Sequence, residues 1–463
     1  MGLLSLPDEV LEIAFKSLLP PFRSQSLAET YVFTVPVDLL AVRVASRRLH
    51  RLATPYAWRR AQLQIASPTA MSYGNCALTF GHPDPVLVSA AKASFRSLVR
   101  CRFFCDHPEL AAHVRVLLIS LEWHADGREH AQDALRAATR AMSGLRTLLV
   151  WDADVLAIKD IRQLLQRPLL RAICLMDVDG SVFPAQCDWG ARLKMLHIAN
   201  SVSPARLIAG AAANLECLSI ELAKSGPDTV PPVPTLREMP WTTLREVALV
   251  DCVHEEDWYC FLDGFERHIR RGLPAVLTEL MVGELAGLAS SRITQLLCTF
   301  SAQPLTRLTL YHVVNIDPRT IARIAQAFPT LLHLTLLSEC ELAPWPGTLD
   351  EYAQELRGLV HLESLTWNNF MLDPSLDAMY LSLNNTMLGT LYSECTHTLV
   401  RYVRSLRWIE FFSTTDSIMD TVYVKISPNA GTKGAGPVVV RRSMEAALHT
   451  SSWSTKSESF QDI

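Results

Sequence analysis

The stretch that decides the fold is residues 305–336, "LTRLTLYHVVNIDPRTIARIAQAFPTLLHLTL". It opens and closes on the same six-residue pattern, L-x-x-L-x-L, at Leu305 and again at Leu331. In an extended strand alternate side chains share a face, so the last two apolar positions of each hexamer point the same way. The first apolar residue enters from the preceding turn. Between the hexamers the grammar is helical. Asp317 reads as an N-cap and Pro318 as the first helical residue, where its missing N–H costs nothing. Ile321, Ile324, Ala325 and Phe328 then form one apolar stripe. The unit is strand, turn, helix, strand.

The hexamer recurs along the chain. It begins at Val114, Leu145, Leu170, Leu193, Leu215, Leu244, Leu277, Leu305, Leu331 and Leu362, with a looser copy, "LRWIEF", at Leu406. Starts are 22 to 33 residues apart except for a longer last interval. "SPARLIAGAAAN" (with Ser203 and Pro204), "SSRITQLLCTF" and "TLDEYAQELRGL" are further helices. One such unit cannot offset its own ordering entropy and becomes stable only by stacking on neighbours. The series resembles leucine-rich repeats, which implies an irregular α/β solenoid with a parallel sheet on the concave face and helices on the convex face. An ordinary α/β domain with leucine-rich strands is the alternative. The Asn or Cys that usually follows the hexamer stands in register only at Cys252, which predicts irregular curvature. Strand residues aimed away from the helices are Trp151, His197, Glu221, Glu246, Tyr311, His333, Asn368, Trp408 and Phe412. This aromatic and polar mixture suits a grip on a target protein.

Composition narrows the class without naming it. The chain has 463 residues, 49% of them hydrophobic, with a formal charge of −4 and eleven cysteines in no regular framework. That usage fits a reducing compartment, cytoplasmic or nuclear. The most apolar run, residues 203–223, is broken by Arg206, Glu216 and Glu221 and reads as a buried helix and a strand, so no membrane segment is expected. Asp8 and Glu9 stand where a secretory leader would be apolar, and Leu6 spoils a myristoylation signal. P-loop, G-x-G-x-x-G, H-E-x-x-H and nucleophile-elbow motifs are missing from the sequence, so it reads as non-catalytic, with no cofactor and no metal. Cys101, Cys105, His107 and His113 could in principle ligate zinc, but helical spacing among Phe103 and Phe104 favours packing. "HEEDW" at 254–258 reads as an exposed acidic loop. Net negative charge without a Lys-rich run argues against a nucleic-acid partner.

The amino end follows another rhythm. In "LPDEVLEIAFKSLL" (6–19), Val10, Leu11, Ala14, Phe15 and Leu18 make an apolar stripe, with Asp8 and Glu9 in the first turn where the helix dipole favours them. A second helix places Leu39, Val42, Leu49 and Leu52 on one side and Arg43, Arg47 and Arg51 on another. Like charges four apart are mildly destabilising, so these arginines are either a solvated face or a seat for an acidic partner. Leu6-Pro7, Glu9-Val10-Leu11, Asp38-Leu39-Leu40, Arg47-Arg48, Leu52-Ala53 and Trp58-Arg59 together resemble an F-box. The segment "PFRSQSLAETYVFTVP" between the helices departs from it as an insertion.

The resemblance implies that Leu6, Pro7, Val10, Leu11, Leu39, Leu40 and Val44 dock on, or support docking on, the adaptor of an SCF-type cullin–RING ubiquitin ligase. The chain would then be a ligase substrate receptor, with an unidentified protein as target and the cullin as an indirect partner. The alternative is a repeat scaffold unconnected with ubiquitin whose head is a terminal cap. Domain boundaries follow: residues 1–64 as helical head, 65–112 as a connecting helical segment, 113–412 as the repeat array and 413–463 as a weakly ordered tail. Within that tail "TVYVKI" and "PVVVRR" could pair as a hairpin.

Overall fold

The computed structural model describes residues 6–17, 42–65, 97–121, 128–153, 163–176, 178, 192–199, 208, 214–221, 236–237, 239–252, 255–338, 345–368, 385–415, 418–426 and 438–443. These fall in two compact units, one within Met1–Leu215 and the other within Glu216–His449. Both are α/β, and in each the strands lie side by side in the order of the chain.

The first unit begins with helices α1 (Asp8–Ser17) and α2 (Arg47–Ala57). Parallel strands follow: β1 (Arg60–Ile65), β2 (Val116–Leu121), β3 (Thr147–Ala153), β4 (Ala172–Met176) and β5 (Met195–Ala199), with α3 (Arg128–Ala141) between β2 and β3. In the second unit β6 (Cys217–Glu221), β7 (Glu246–Cys252), β8 (Glu279–Ala289), β9 (Arg307–Val314), β10 (His333–Leu336), β11 (Ser364–Asn368) and β12 (Trp408–Thr415) are parallel. Helices α4 (Glu255–Arg270), α5 (Ser290–Phe300), α6 (Pro318–Ala327), α7 (Leu349–Leu356) and α8 (Asn385–Tyr402) fill the intervals. Each of these helices packs on the next, making a second layer.

All eleven hexamers form these strands. Their first, fourth and sixth positions are buried throughout, as at Leu145, Leu148 and Val150 or Leu331, Leu334 and Leu336. Each such side chain contributes roughly 1.5–3 kcal/mol. What sets the register is a shared acceptor. The carbonyl of the second hexamer residue takes two N–H groups from the next repeat. Arg115 O accepts from Arg146 N at 2.8 Å and Thr147 N at 2.9 Å, and Arg146 O from Arg171 N at 2.8 Å and Ala172 N at 3.1 Å. In the second unit the same forked bond runs from Glu216 O through Arg245, Thr278, Thr306, Leu332 and Glu363 to Arg407 and Trp408.

The ladder starts earlier than the sequence reading placed it. Arg59 O already accepts from Arg115 N and Val116 N, so "WRRAQL" is a twelfth hexamer, with Ala61 and Leu63 buried. The sheet also runs beyond residue 412. β13 (Ile418–Lys425) pairs antiparallel with β12, and β14 (Val438–Ser443) antiparallel with β13, so the suspected hairpin forms and joins the sheet. Just past the hexamers the register slips at Ser120/Leu121, Leu249/Cys252 and Gly283/Leu288.

Helices α5, α6 and α7 start where the sequence said, but the second head helix begins at Arg47 behind its N-cap Ser46, so Val42 and Arg43 do not share it. Asp317 caps α6, accepting from Thr320 N at 2.8 Å and from Thr320 Oγ1 at 2.7 Å, with Pro318 first in the helix. Those bonds hold its carboxyl below the usual range. Thr348 and Glu351 close a reciprocal capping box on α7. Ser203 and Pro204 lie outside the described residues. His254 of "HEEDW" lies outside the described residues, and the rest is helix rather than loop: Glu255 opens α4, Asp257 and Trp258 are buried, and Trp258 Nε1 donates to Gln295 Oε1 at 3.2 Å. Acids in a first turn are favoured by the helix dipole as much as by solvent, which is why the run looked like a loop.

Leu308→Ala, at a fully buried fourth position, is expected to cost about 2–5 kcal/mol, and Asp317→Ala about 0.5–2 kcal/mol through its cap alone. Urea unfolding of the intact chain measures both; an Asp317 loss as large as that of Leu308 would contradict the capping account.

Candidate functional site

Two faces were expected to bind partners, and the structure treats them differently. In the helical head, Leu11 and Phe15 of α1 meet Leu49, Leu52, Ala53 and Ala57 of α2 in one core, with Leu6, Val42, Tyr56 and Trp58 packed on its margin. An ion pair clamps the two helices. Arg48 bonds Asp8 through two of its nitrogens, one at 2.7 Å, and bonds Leu6 O at 2.7 Å, while Arg51 reaches the other Asp8 oxygen at 3.2 Å. Arg43 instead lies over the Trp58 ring at 5.8 Å. Arg47 is exposed.

The single stripe expected on α1 is therefore two faces. Leu11 and Phe15 build the head's own core, whereas Pro7, Val10 and Ile13 are exposed, Val10 by 44% and Ile13 by 69%. Val44 is 86% exposed. Leu11, proposed for docking, is wholly buried and can only support it, because its side chain is the centre of the helix–helix contact. Leu39 and Leu40, with Leu18, lie outside the described residues. Ile13 was missed, though its i,i+3 spacing from Val10 is the signal that pairs them on one face.

The strand face is more closed than alternation implied. His197 is 4% exposed, and burial pushes its imidazole down to about 4, so it is a neutral interior group rather than a contact residue. The reason is that all five residues of β4 and all five of β5 are buried: these parallel strands are covered on both faces. Tyr311 is also buried, packed with Ala248 and Met281 beside Val250 and Leu337. Gly283 makes room for it, since a Cβ there would stand 2.9 Å from Tyr311 Cβ.

The remaining expected residues stand in the second unit's strands or have undescribed side chains. Glu221, Glu246 and His333 are half-buried, and Trp408 is exposed. Glu246, Glu279, Arg307, His333, Ser364 and Trp408 are successive register partners from β7 to β12. Arg307 Nε lies 3.3 Å from Glu279 Oε2, and burial followed by Arg307 holds the His333 imidazole below its ordinary value. The side chains of Trp151, Asn368 and Phe412, on β3, β11 and β12, are outside the described set.

The cysteine–histidine group does not converge. Cys101 is fully buried, and desolvation, then Cys105, pushes its thiol up to about 12, against thiolate chemistry. Cys105 is exposed, and His107 lies 4.6 Å from the Phe103 ring with Nδ1 3.3 Å from Glu109 Oε1. Phe103 in turn stacks on Trp58 at 5.0 Å. Among the described residues no three His, Cys, Asp or Glu side chains group to hold a metal ion, and no helix is long and apolar enough to cross a membrane. No protein-family model matches this chain, and no curated protein is similar to it in sequence.

Because His197 titrates near 6.5 when exposed and near 4 when folded, the unfolded chain binds a proton that the folded chain refuses between those values. Stability should be full above about pH 6.5 and fall as pH drops toward 4, by up to about 3 kcal/mol at this group. Thermal unfolding at pH 7, 5.5 and 4.5 reads this; His197→Gln is expected to flatten the dependence, and an unchanged slope would remove His197 as its source.

Proposed function

We propose that this chain is a substrate-recognition subunit of an SCF-type cullin–RING ubiquitin ligase, working in the cytoplasm or nucleus. The F-box-like head docks the ligase adaptor, and through it the cullin, while the leucine-rich-repeat array holds a target protein. The observation that carries this is the solvent-open apolar face Pro7–Val10–Ile13 on a helix whose other side already completes a core. A short head with apolar residues left over from its own packing is suited to a partner surface. For target contact the supporting residues are the polar register row of the second unit, Glu246, His333 and Trp408 among them. No chemistry is asked of the chain itself. Tethering a target near a distant enzyme raises its effective concentration, and that alone accelerates transfer.

A second reading has its own support. β1 follows α2 after two residues and pairs with β2, so the head is spliced into the sheet and serves as the cap that a repeat array requires. On this reading the protein is a scaffold without a ubiquitin role.

Co-purification separates the two. Tagged full-length chain is expected to capture adaptor and cullin, and Val10→Asp with Ile13→Asp to cut adaptor capture at least about tenfold, with an unchanged melting transition because both positions are exposed. Failure of the intact chain to capture adaptor that a control F-box protein does capture would leave the scaffold reading.

A further inference from the structure

The second hexamer residue, whose carbonyl carries the forked backbone bond, recurs in single file along one end of the strands. In the first unit its occupants are Arg59, Arg115, Arg146, Arg171 and Lys194. With neighbouring strands about 4.8 Å apart, the five cations form a row roughly 19 Å long. In the second unit the same position holds Glu216, Arg245, Thr278, Thr306, Leu332, Glu363 and Arg407, where acids and bases balance. The file of like charge belongs to the first unit alone.

The middle of the row is half-exposed and uncompensated. No described carboxylate forms an ion pair with Arg115, Arg146 or Arg171. Arg115 Nη1 is held 2.8 Å from Gly144 O, and one Nη of Arg171 is buried without a hydrogen-bond partner. Burial first, and then the charges of Arg146 and Arg59, hold the Arg115 guanidinium below its ordinary value. Arg167 and Arg192, off the row, likewise donate to backbone carbonyls, those of Thr139 and Pro168.

We propose that this row docks an acidic, carboxylate-rich segment of a partner protein, lying extended along it. An extended peptide advances about 3.3 Å per residue with alternate side chains on one side, so about six residues span the row and bring three carboxylates to it. Guanidinium forks match carboxylates in bidentate geometry. Single-stranded nucleic acid would need stacking platforms beside the cations. The adjoining strand positions in β2 to β5 are Val116, Thr147, Ala172 and Met195, all buried and none aromatic. This inference does not depend on the ligase reading, since it uses neither the head's apolar face nor the second unit.

Fluorescence anisotropy on the full-length chain tests it. The probe is a fluorescein-labelled peptide of about twelve residues alternating Glu and Ser, beside its Gln–Ser counterpart and an oligouridylate of similar length. The Glu–Ser peptide is expected to bind, more weakly as salt rises, and the Gln–Ser peptide not to bind. Arg146→Glu with Arg171→Glu should weaken binding at least about tenfold, and Arg146→Lys with Arg171→Lys less than about threefold. Since Arg171 is partly buried, Arg146→Glu alone, checked by thermal unfolding, supplies a second reading with an expected loss of about threefold or more. Arg319→Glu, on exposed α6 of the other unit, should change nothing. No binding of the Glu–Ser peptide, equal weakening by Arg319→Glu, or tighter binding of oligouridylate than of peptide would overturn the proposal.

Discussion

A carbonyl oxygen that accepts two N–H groups at once can do so only if the next repeat arrives at the right height and in the right register. That condition, met at Arg115 O, Arg146 O and Arg171 O in one unit and from Glu216 O to Glu363 O in the other, governs the remaining architecture. Once the second hexamer residues are stacked, the fourth and sixth must stack as well, because strand alternation leaves them no other face. The chain between hexamers is under no such constraint. Intervals from 22 to 56 residues are therefore tolerated without breaking the ladder. Where the sixth position grows to Trp367, the same layer answers with Trp345 and Tyr352, whose rings meet it edge-on at 5.1 and 5.6 Å. Tyr352 is pinned in turn by its hydroxyl, which donates to Ile316 O at 2.6 Å.

Burial on both sides of β4 and β5 changes where recognition can happen. A face whose Cys174 and His197 are interior offers a partner nothing. The first unit is left with its margins: the outer side of α1, and the ends of the strands. The second unit keeps polar outward positions, with Glu246, Glu279, Arg307 and His333 half-buried along the strand starts and Thr335, Thr366 and Glu410 in the next row. Around Tyr311 it also carries an apolar patch, where outward residues cluster as a core would. Half-buried polar residues and packing residues thus interleave on one face, and strand alternation alone cannot sort them.

The elements that were readable from sequence are those whose signals are local and repeated. Eleven hexamers, the Asp317–Pro318 start of α6 and the Thr348 start of α7 each need only a few adjacent residues to recognise. The misplacements come from signals with two meanings. Trp58-Arg59 could close a helical head or open a strand; backbone pairing with β2 decides it, and that pairing is with residues more than fifty positions away. An acidic run such as Glu255–Asp257 serves solvent and a helix N-terminus equally. His197 alternates like an outward residue, yet "MLHIA" is a strand buried on both faces, which a single histidine conceals. Val10 and Leu11 are neighbours in one apolar run but face opposite environments, and only the packing of α2 assigns them.

The hexamer's second position shows why a fold can be legible while its surface is not. The structural work there is done by backbone atoms, so the side chain is unconstrained: Arg, Glu, Thr and Leu all occupy it with the same forked bond, and Lys194 donates into the one before it. Charge can be distributed along that edge without altering the core. It is not free of consequence, because strands about 4.8 Å apart bring like charges to within the screening length of physiological salt. At Arg115 the charges of Arg146 and Arg59, after burial, hold the guanidinium below its ordinary value, so like charge there opposes the stacking that the buried hexamer residues beneath drive. An anion laid along the row would relieve the repulsion, so binding there and the stability of the first unit are thermodynamically linked. The cations are separated by 23 to 56 residues in the chain, and only the ladder makes them neighbours.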